Sequence, residues 1–202
     1  MIVLVTGGAS SGKSAYAERV ACALPGPHVY LATMQSGGAE AAARIDRHRA
    51  LRRGKGFETL ECPRGLEKLA VGGHLPASGT VLLEDLGNLA ANELFADEPR
   101  SAADAMAGIE AVAQQCANLV IVTNELGSDG VAYDEYTRAY QDYLGALACA
   151  CGACADAVIE VVAGLPQAVK APNGTAASAL FQDGIKAAKA DVPLFDGGDA
   201  SC

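Results

Sequence analysis

Eight consecutive residues near the start of the chain follow the pattern G-x-x-x-x-G-K-[ST], which is typical of loops that hold phosphate groups. They are Gly7, Gly8, Ala9, Ser10, Ser11, Gly12, Lys13 and Ser14. Glycine lets the backbone curl until several N–H groups face one anion, and the positive end of a following helix adds to the attraction. The lysine ammonium reaches the β- and γ-phosphates, and the hydroxyl after it can bind Mg²⁺. All eight residues are therefore predicted to bind a nucleotide, with Lys13 catalytic and Ser14 a magnesium ligand.

Two acidic residues stand at the end of a second apolar run, the position from which P-loop proteins hold Mg²⁺. Glu84 and Asp85 follow Val81-Leu82-Leu83 there. Adjacent strand residues face opposite ways, so only one of the two carboxylates is expected to face the phosphates. We predict that Glu84 is the magnesium ligand and that Asp85 caps the next helix, with the reverse assignment as the alternative.

His48 lies in a strongly basic segment, residues 44–53, which contains five arginines. A solvated basic helix face is one explanation of this segment. The other is that the arginines collect nucleotide phosphates around a neutral imidazole, whose unperturbed pKa is ~6.5 and whose free nitrogen can attack phosphorus. The spacing alone leaves both interpretations open.

Short apolar runs alternate along the chain with longer helical stretches, as in a parallel sheet covered on both faces. Strands are predicted at residues 2–6, 28–33, 57–61, 80–84, 118–123 and 157–162. Helices are predicted at residues 13–23, 40–53, 87–95, 102–116 and 133–154. In the last of these, apolar residues recur at steps of three and four and predict one apolar stripe, made of Tyr136, Tyr140, Tyr143, Leu144, Leu147, Cys151 and Cys154. This alternation predicts an α/β fold with a doubly wound, mostly parallel sheet of the P-loop nucleotide-binding type.

The composition limits the function classes. The chain has 202 residues and a formal net charge of −9, so it offers no broad basic face for nucleic acid. No apolar run approaches the ~20 residues of a membrane span, and the first residues lack the basic lead-in of a signal peptide. Seven cysteines fit a reducing compartment better than a disulfide framework. These features favour a cytoplasmic protein.

The composition also changes near the end of the chain. Residues 171–174 are Ala-Pro-Asn-Gly, which interrupts the alternation, and residues 193–202 are rich in Gly and Asp. We therefore expect one domain over residues 1–170, followed by a peripheral C-terminal extension over residues 171–202.

Several separated segments together resemble one family, the bifunctional adenosylcobinamide kinase / adenosylcobinamide-phosphate guanylyltransferase enzymes of cobalamin biosynthesis. The resemblance covers residues 2–170. Besides the phosphate loop, its carriers are Tyr30-Leu31-Ala32-Thr33, Arg44-Ile45-Asp46-Arg47-His48-Arg49, Thr59-Leu60-Glu61-Cys62, Leu83-Glu84 with Asn88 and Asn92, Val122-Thr123-Asn124-Glu125, and Val161-Val162-Ala163-Gly164-Leu165-Pro166. The basic segment with its histidine and the V-T-N-E segment are more specific than the phosphate loop, which is widespread.

The resemblance implies two successive reactions that use GTP or ATP with Mg²⁺. The hydroxyl of adenosylcobinamide first takes a γ-phosphoryl group. GTP then guanylylates a histidine, which matches His48, and the GMP moves to adenosylcobinamide phosphate to give adenosylcobinamide-GDP. Thr33, Arg52, Glu61 and Glu84 fall where the family contacts nucleotide. A carboxylate among them can accept two hydrogen bonds from guanine, and which one does so stays open.

The resemblance further implies small-molecule partners only, a purine nucleotide and a corrinoid, and a homo-oligomer such as a trimer. Ser10 departs from the family, which commonly has Arg at this position of the phosphate loop. Two other functions remain as alternatives. One is a P-loop kinase of another small alcohol without guanylyltransferase activity, in which His48 only contacts phosphate. The other is a non-catalytic nucleotide-binding regulator.

Overall fold

The computed structural model describes residues 1–35, 55–127 and 130–171. The predicted helix at residues 40–53, with His48 and Arg52, lies outside these ranges. So does nearly all of the expected C-terminal extension.

Seven strands form one sheet in the order β3-β2-β4-β5-β1-β6-β7. All neighbouring strands are parallel except β6 and β7, which are antiparallel. The predicted α/β class and the mostly parallel sheet are confirmed. The strands are β1 (Ile2–Thr6), β2 (His28–Ala32), β3 (Phe57–Glu61), β4 (Thr80–Glu84), β5 (Asn118–Val122), β6 (Ala157–Val162) and β7 (Leu165–Lys170).

Five helices are described: α1 (Lys13–Ala23), α2 (Glu67–Gly72), α3 (Leu86–Leu94), α4 (Ala102–Gln114) and α5 (Glu135–Cys154). Four match predicted helices to within two residues at each end. Asp85, Ser101 and Asp134 cap α3, α4 and α5 through side-chain oxygens that accept backbone N–H groups. Within the described ranges, no helix is long and apolar enough to cross a bilayer.

The central strands β1, β2, β4 and β5 are buried on both faces, as their continuous apolar runs require. On one face Tyr16, Ala17 and Val20 of α1 pack with alternate residues of the central strands. The other face is covered by α3, α4 and α5, from which Leu89, Ile109 and Leu147 enter the core. All five residues of β4 are buried, so the strand that ends in Glu84 is fixed between two packed layers.

Two elements were missed in the sequence. Strand β7 pairs with β6 through the two-residue turn Ala163-Gly164, whose φ angles are +48° and +80°. Positive φ at both turn residues is the geometry of a type I′ hairpin. Pro166 lies on β7 at the edge of the sheet, where a missing N–H is tolerated. Helix α2 is six residues long and too short to show a period.

The predicted apolar stripe of the last helix is only partly correct. Tyr143 and Cys151 are buried, but Tyr136 is 68% exposed and Cys154 is also exposed. Near its beginning the helix extends past the core, and Tyr136 there stacks on Phe95 with ring centroids 4.3 Å apart.

One fully buried carboxylate, Glu93 of α3, ties together three segments. Its Oε1 accepts hydrogen bonds from the Gly65 N–H at 2.8 Å and from Arg100 Nη1 at 3.2 Å. Arg64 Nε is 3.7 Å from Oε2. The charge of Glu93 is therefore matched by two guanidinium groups that remain partly exposed to water.

Replacing Glu93 should strongly destabilise the fold. Glu93→Ala leaves the Gly65 N–H without its acceptor and two arginines facing each other, and we expect a loss of about 3 kcal/mol in the free energy of unfolding. The matched control is Glu98→Ala, because exposed Glu98 offers the described part of the chain only its backbone carbonyl, which accepts from Arg64. The control should stay within about 0.5 kcal/mol of the parent in urea unfolding. Equal losses in the two variants would contradict the network.

Candidate nucleotide-binding site

The predicted phosphate loop connects β1 to α1 at the carboxyl edge of the sheet. Helix α1 begins at Lys13, directly after Gly12, whose φ of +90° requires glycine or strain. Ser10 also has a positive φ, +57°. This left-handed backbone gives the loop its curl, and the helix places its free N–H groups at the end of the loop.

Neighbouring segments hold the two ends of the loop. The Glu125 N–H donates to the Gly7 carbonyl at 3.1 Å, and the Gly164 N–H donates to the Ser11 carbonyl at 2.8 Å. The β5 end and the β6–β7 turn therefore contact the loop from different directions. The V-T-N-E and V-A-G-L-P segments, on which the resemblance partly rests, meet at this loop.

Lys13 is buried, and its Nζ donates to the Gly8 carbonyl at 3.1 Å, so the ammonium stays inside the loop. Burial lowers the pKa of Lys13 below its ordinary value, and the negative charges of Asp85 and Glu84 oppose this shift. Both carboxylates therefore favour the charged form of the lysine, the form that attracts a bound phosphate.

Ser14 and Glu84 meet at the end of β4, as the sequence predicts for a magnesium site. Burial raises the pKa of Glu84, and hydrogen bonds from the Ser14 and Tyr30 hydroxyls oppose the shift. Within the described ranges, no hydrogen-bond donor reaches the buried Oε2 of Glu84. One hydroxyl beside a carboxylate with an unused oxygen is a donor set that suits Mg²⁺.

Asp85 caps α3, as predicted, while the role of Glu84 as magnesium ligand stays a prediction. Its Oδ1 accepts the Asn88 N–H at 2.7 Å, and its Oδ2 is 3.4 Å from Asn124 Nδ2. Its carbonyl accepts the Thr33 hydroxyl at 2.8 Å. Asp85 is thus held from three sides while its charge acts on Lys13.

The other predicted contacts lie along the same edge of the sheet. Thr33 is fully buried, and its hydroxyl is used by the Asp85 carbonyl, so its side chain supports the β4 end rather than facing solvent. Glu61 is exposed at the end of β3. The described residues therefore bring Lys13, Ser14 and Glu84 together and place Glu61 at the far end of this edge, while His48 and Arg52 lie outside them.

Two polar residues that support this edge were not assigned a role in the sequence. Asn92 donates to the carbonyls of Thr33, at 2.7 Å, and Pro63, at 2.9 Å, and so joins the ends of β2 and β3. Tyr140 donates from its hydroxyl to the Gly87 carbonyl at 3.1 Å. Asn92 is one of the residues on which the family resemblance rests, whereas the sequence places Tyr140 only in the apolar stripe of α5.

A buried parallel strand, a glycine-rich turn and a helix that begins at the lysine define a P-loop α/β protein. Comparison with known proteins identifies the family within this class. Residues 3–169 match the family model described as cobinamide kinase / cobinamide phosphate guanyltransferase. The match covers most of the chain, which therefore belongs to this family.

Three curated relatives agree with the family match. The chain is 35% identical over 184 residues to the bifunctional adenosylcobalamin biosynthesis protein CobU of Salmonella typhimurium. The alignment covers 84% of this chain and all of the relative. The chain is 35% identical over 168 residues to CobP of Pseudomonas aeruginosa, covering 83% and 96%. It is 34% identical over 187 residues to CobU of Escherichia coli, covering 84% and 100%.

The pKa of Lys13 should depend on the negative charge of Asp85. Asp85→Asn keeps a good helix cap but removes a negative charge that raises the pKa of Lys13, so this pKa should fall further. The ammonium then loses its proton at lower pH. Calorimetry measures the affinity for tripolyphosphate as the pH is raised. We expect this affinity to begin to fall at a lower pH in Asp85→Asn than in the parent.

The matched control for this prediction is Asp134→Asn. Asp134 also caps a helix, by accepting the Thr137 N–H at 2.8 Å, and its side chain is exposed. The control should leave the alkaline decline where it is in the parent. An unchanged decline in the Asp85 variant would mean that its charge does not act on Lys13.

Proposed function

We propose that this protein phosphorylates adenosylcobinamide and then transfers GMP from GTP to adenosylcobinamide phosphate. The observation that carries the proposal is the convergence of Lys13, Ser14 and Glu84 at one end of the sheet, in a chain that belongs to the cobinamide kinase / cobinamide phosphate guanyltransferase family. Both reactions require a site that grips a nucleoside triphosphate, and these three residues have the types and positions for it.

In the kinase step the acceptor oxygen bonds to the γ-phosphorus, the bond from that phosphorus to the β-phosphate oxygen breaks, and the hydroxyl proton leaves. Phosphoryl transfer needs positioning and charge stabilisation more than covalent help from the protein. The N–H groups of the phosphate loop and Lys13 supply both. Because Lys13 is buried, its charge acts on the phosphates with little screening by water.

Ser14 and Glu84 are the residues that would hold Mg²⁺. The ion, when bound, neutralises charge on the β- and γ-phosphates. The buried Oε2 of Glu84, with no donor among the described residues, supports this assignment. A buried carboxylate oxygen without a donor is costly, and a cation next to it lowers the cost.

In the guanylyltransferase step a neutral imidazole nitrogen of His48 attacks the α-phosphorus, and pyrophosphate leaves. A phosphate oxygen of the corrinoid then attacks the same phosphorus, the N–P bond breaks, and GMP is transferred. A covalent intermediate divides one difficult displacement into two easier ones. Arg52, Glu61 and Glu84 are proposed nucleotide contacts. Thr33 is fully buried and its hydroxyl donates to the Asp85 carbonyl, so its proposed contribution to the nucleotide site is indirect, through Asp85.

The test is covalent labelling with GTP that carries radioactive phosphorus at the α-position. We expect an acid-labile, base-stable adduct in the parent and none in His48→Asn. The matched control is His74→Asn, because His74 is an exposed histidine in the turn after α2, on none of the elements that build the site. The control should be labelled at the level of the parent.

The same incubation, supplied with adenosylcobinamide and read by product mass, separates the alternatives. Adenosylcobinamide-GDP supports both reactions, and a phosphorylated product without GMP would leave only a kinase. Hydrolysis without transfer to any acceptor would indicate a regulator. The proposed assembly into a homo-oligomer is tested separately by light scattering, where a monomer mass would contradict it.

A further inference from the structure

Two carbonyl groups of the phosphate loop are held by donors from outside the motif, the N–H groups of Glu125 and Gly164. In a planar trans peptide the carbonyl and the next N–H point in opposite directions. A carbonyl held outside the loop therefore turns the following N–H towards the inside. The bond to the Gly7 carbonyl directs the Gly8 N–H inward, and the bond to the Ser11 carbonyl does the same for Gly12.

The β6–β7 turn lies directly against the end of the loop. A β-carbon built on Gly12 would be 3.4 Å from the Gly164 Cα, and one built on Gly7 would be 2.5 Å from the Val161 carbonyl oxygen. The hairpin therefore touches the loop at both ends. Gly164, which donates to the Ser11 carbonyl, has a φ of +80°, which few residues other than glycine adopt readily.

We propose that Gly164 is a positioning residue of the triphosphate site: its N–H holds the phosphate loop in the anion-binding conformation before the nucleotide arrives. The inference deepens the proposed function and shares with it only the premise that this loop binds a triphosphate. Gly164 contacts no phosphate in this scheme and acts through Ser11.

The expected effect falls on affinity rather than on turnover. If the loop is in its binding conformation in only a fraction of the molecules, the apparent Kd equals the intrinsic Kd divided by that fraction. Loss of one neutral hydrogen bond, about 1 kcal/mol, corresponds to about a fivefold loss of affinity. Once the triphosphate is bound, its own contacts align the N–H groups, so kcat should change little.

The decisive variant replaces Gly164 with glycolic acid, which exchanges the N–H for an ester oxygen and adds no side chain. Calorimetry measures the Kd of tripolyphosphate and of GTP, and steady-state kinetics gives KM and kcat. We expect both Kd values and the KM for nucleotide to rise about fivefold, with kcat within about twofold of the parent. Because tripolyphosphate binding needs no acceptor, this result does not depend on either transfer reaction.

A pair of alanine variants provides a control that does not depend on the ester. Gly164→Ala and Gly56→Ala both place alanine at a strongly positive φ, +80° and +76°, and neither new β-carbon has an atom of the described residues within 4 Å. Both should lose similar free energy of unfolding. Of the two variants, only Gly164→Ala should also weaken tripolyphosphate binding, because the turn at Gly164 contacts the phosphate loop and the turn at Gly56 does not.

Three outcomes would overturn the proposal. Parent-like affinity in the ester would show that the loop holds its shape without this bond, whereas Gly164→Ala keeps the N–H and tests whether strain in the turn reaches the loop. Weaker GTP binding with unchanged tripolyphosphate binding would place the turn against the nucleoside instead. Equal loss of affinity in both alanine variants would reduce the effect to general destabilisation. Failure of the histidine adduct with normal tripolyphosphate binding would contradict the proposed function alone.

Discussion

A loop that presents its N–H groups to an anion must turn its carbonyls away, and each carbonyl then needs a donor elsewhere. This constraint organises the site. The Gly7 and Ser11 carbonyls find donors on segments that follow β5 and β6, and the Gly8 carbonyl finds Lys13. The phosphate loop is thus completed by strands that enter the sheet more than a hundred residues later. Its shape depends on the whole sheet being assembled.

The acidic half of the site depends on the same sheet. Glu84 ends a strand that is buried along its full length, and α3 starts immediately afterwards with Asp85 as its cap. Two neighbouring carboxylates therefore have separate tasks because one faces Ser14 and the other faces the backbone of α3. Both charges act on Lys13, which burial would otherwise make easier to deprotonate.

Most of the sheet could be predicted because its signals are local. Continuous apolar runs and a fixed G-x-x-x-x-G-K-S pattern each point to one structure, and Glu84 and Asp85 followed from their place at a strand end. The β6–β7 hairpin was harder, because Ala163-Gly164 is not one of the usual turn pairs and Pro166 argues against a strand. The support from Gly164, Asn92 and Tyr140 could not be derived, since it arises from contacts between segments far apart in sequence. The predicted apolar stripe of α5 includes residues at both ends of the helix that are exposed. The spacing of apolar residues indicates which side of a helix faces the core, but it does not indicate where the core ends.

The full burial of β4 also bears on how such a protein can change in evolution. A residue whose side chain is enclosed by two packed layers cannot be exchanged without disturbing both, so the end of β4 that carries Glu84 tolerates little variation. The more exposed segments at the same edge, around Glu61 and at residues 125–127 and 130–136, are not enclosed by two packed layers. New acceptor preferences in this lineage should therefore arise by remodelling those segments, while the strand ends stay as they are.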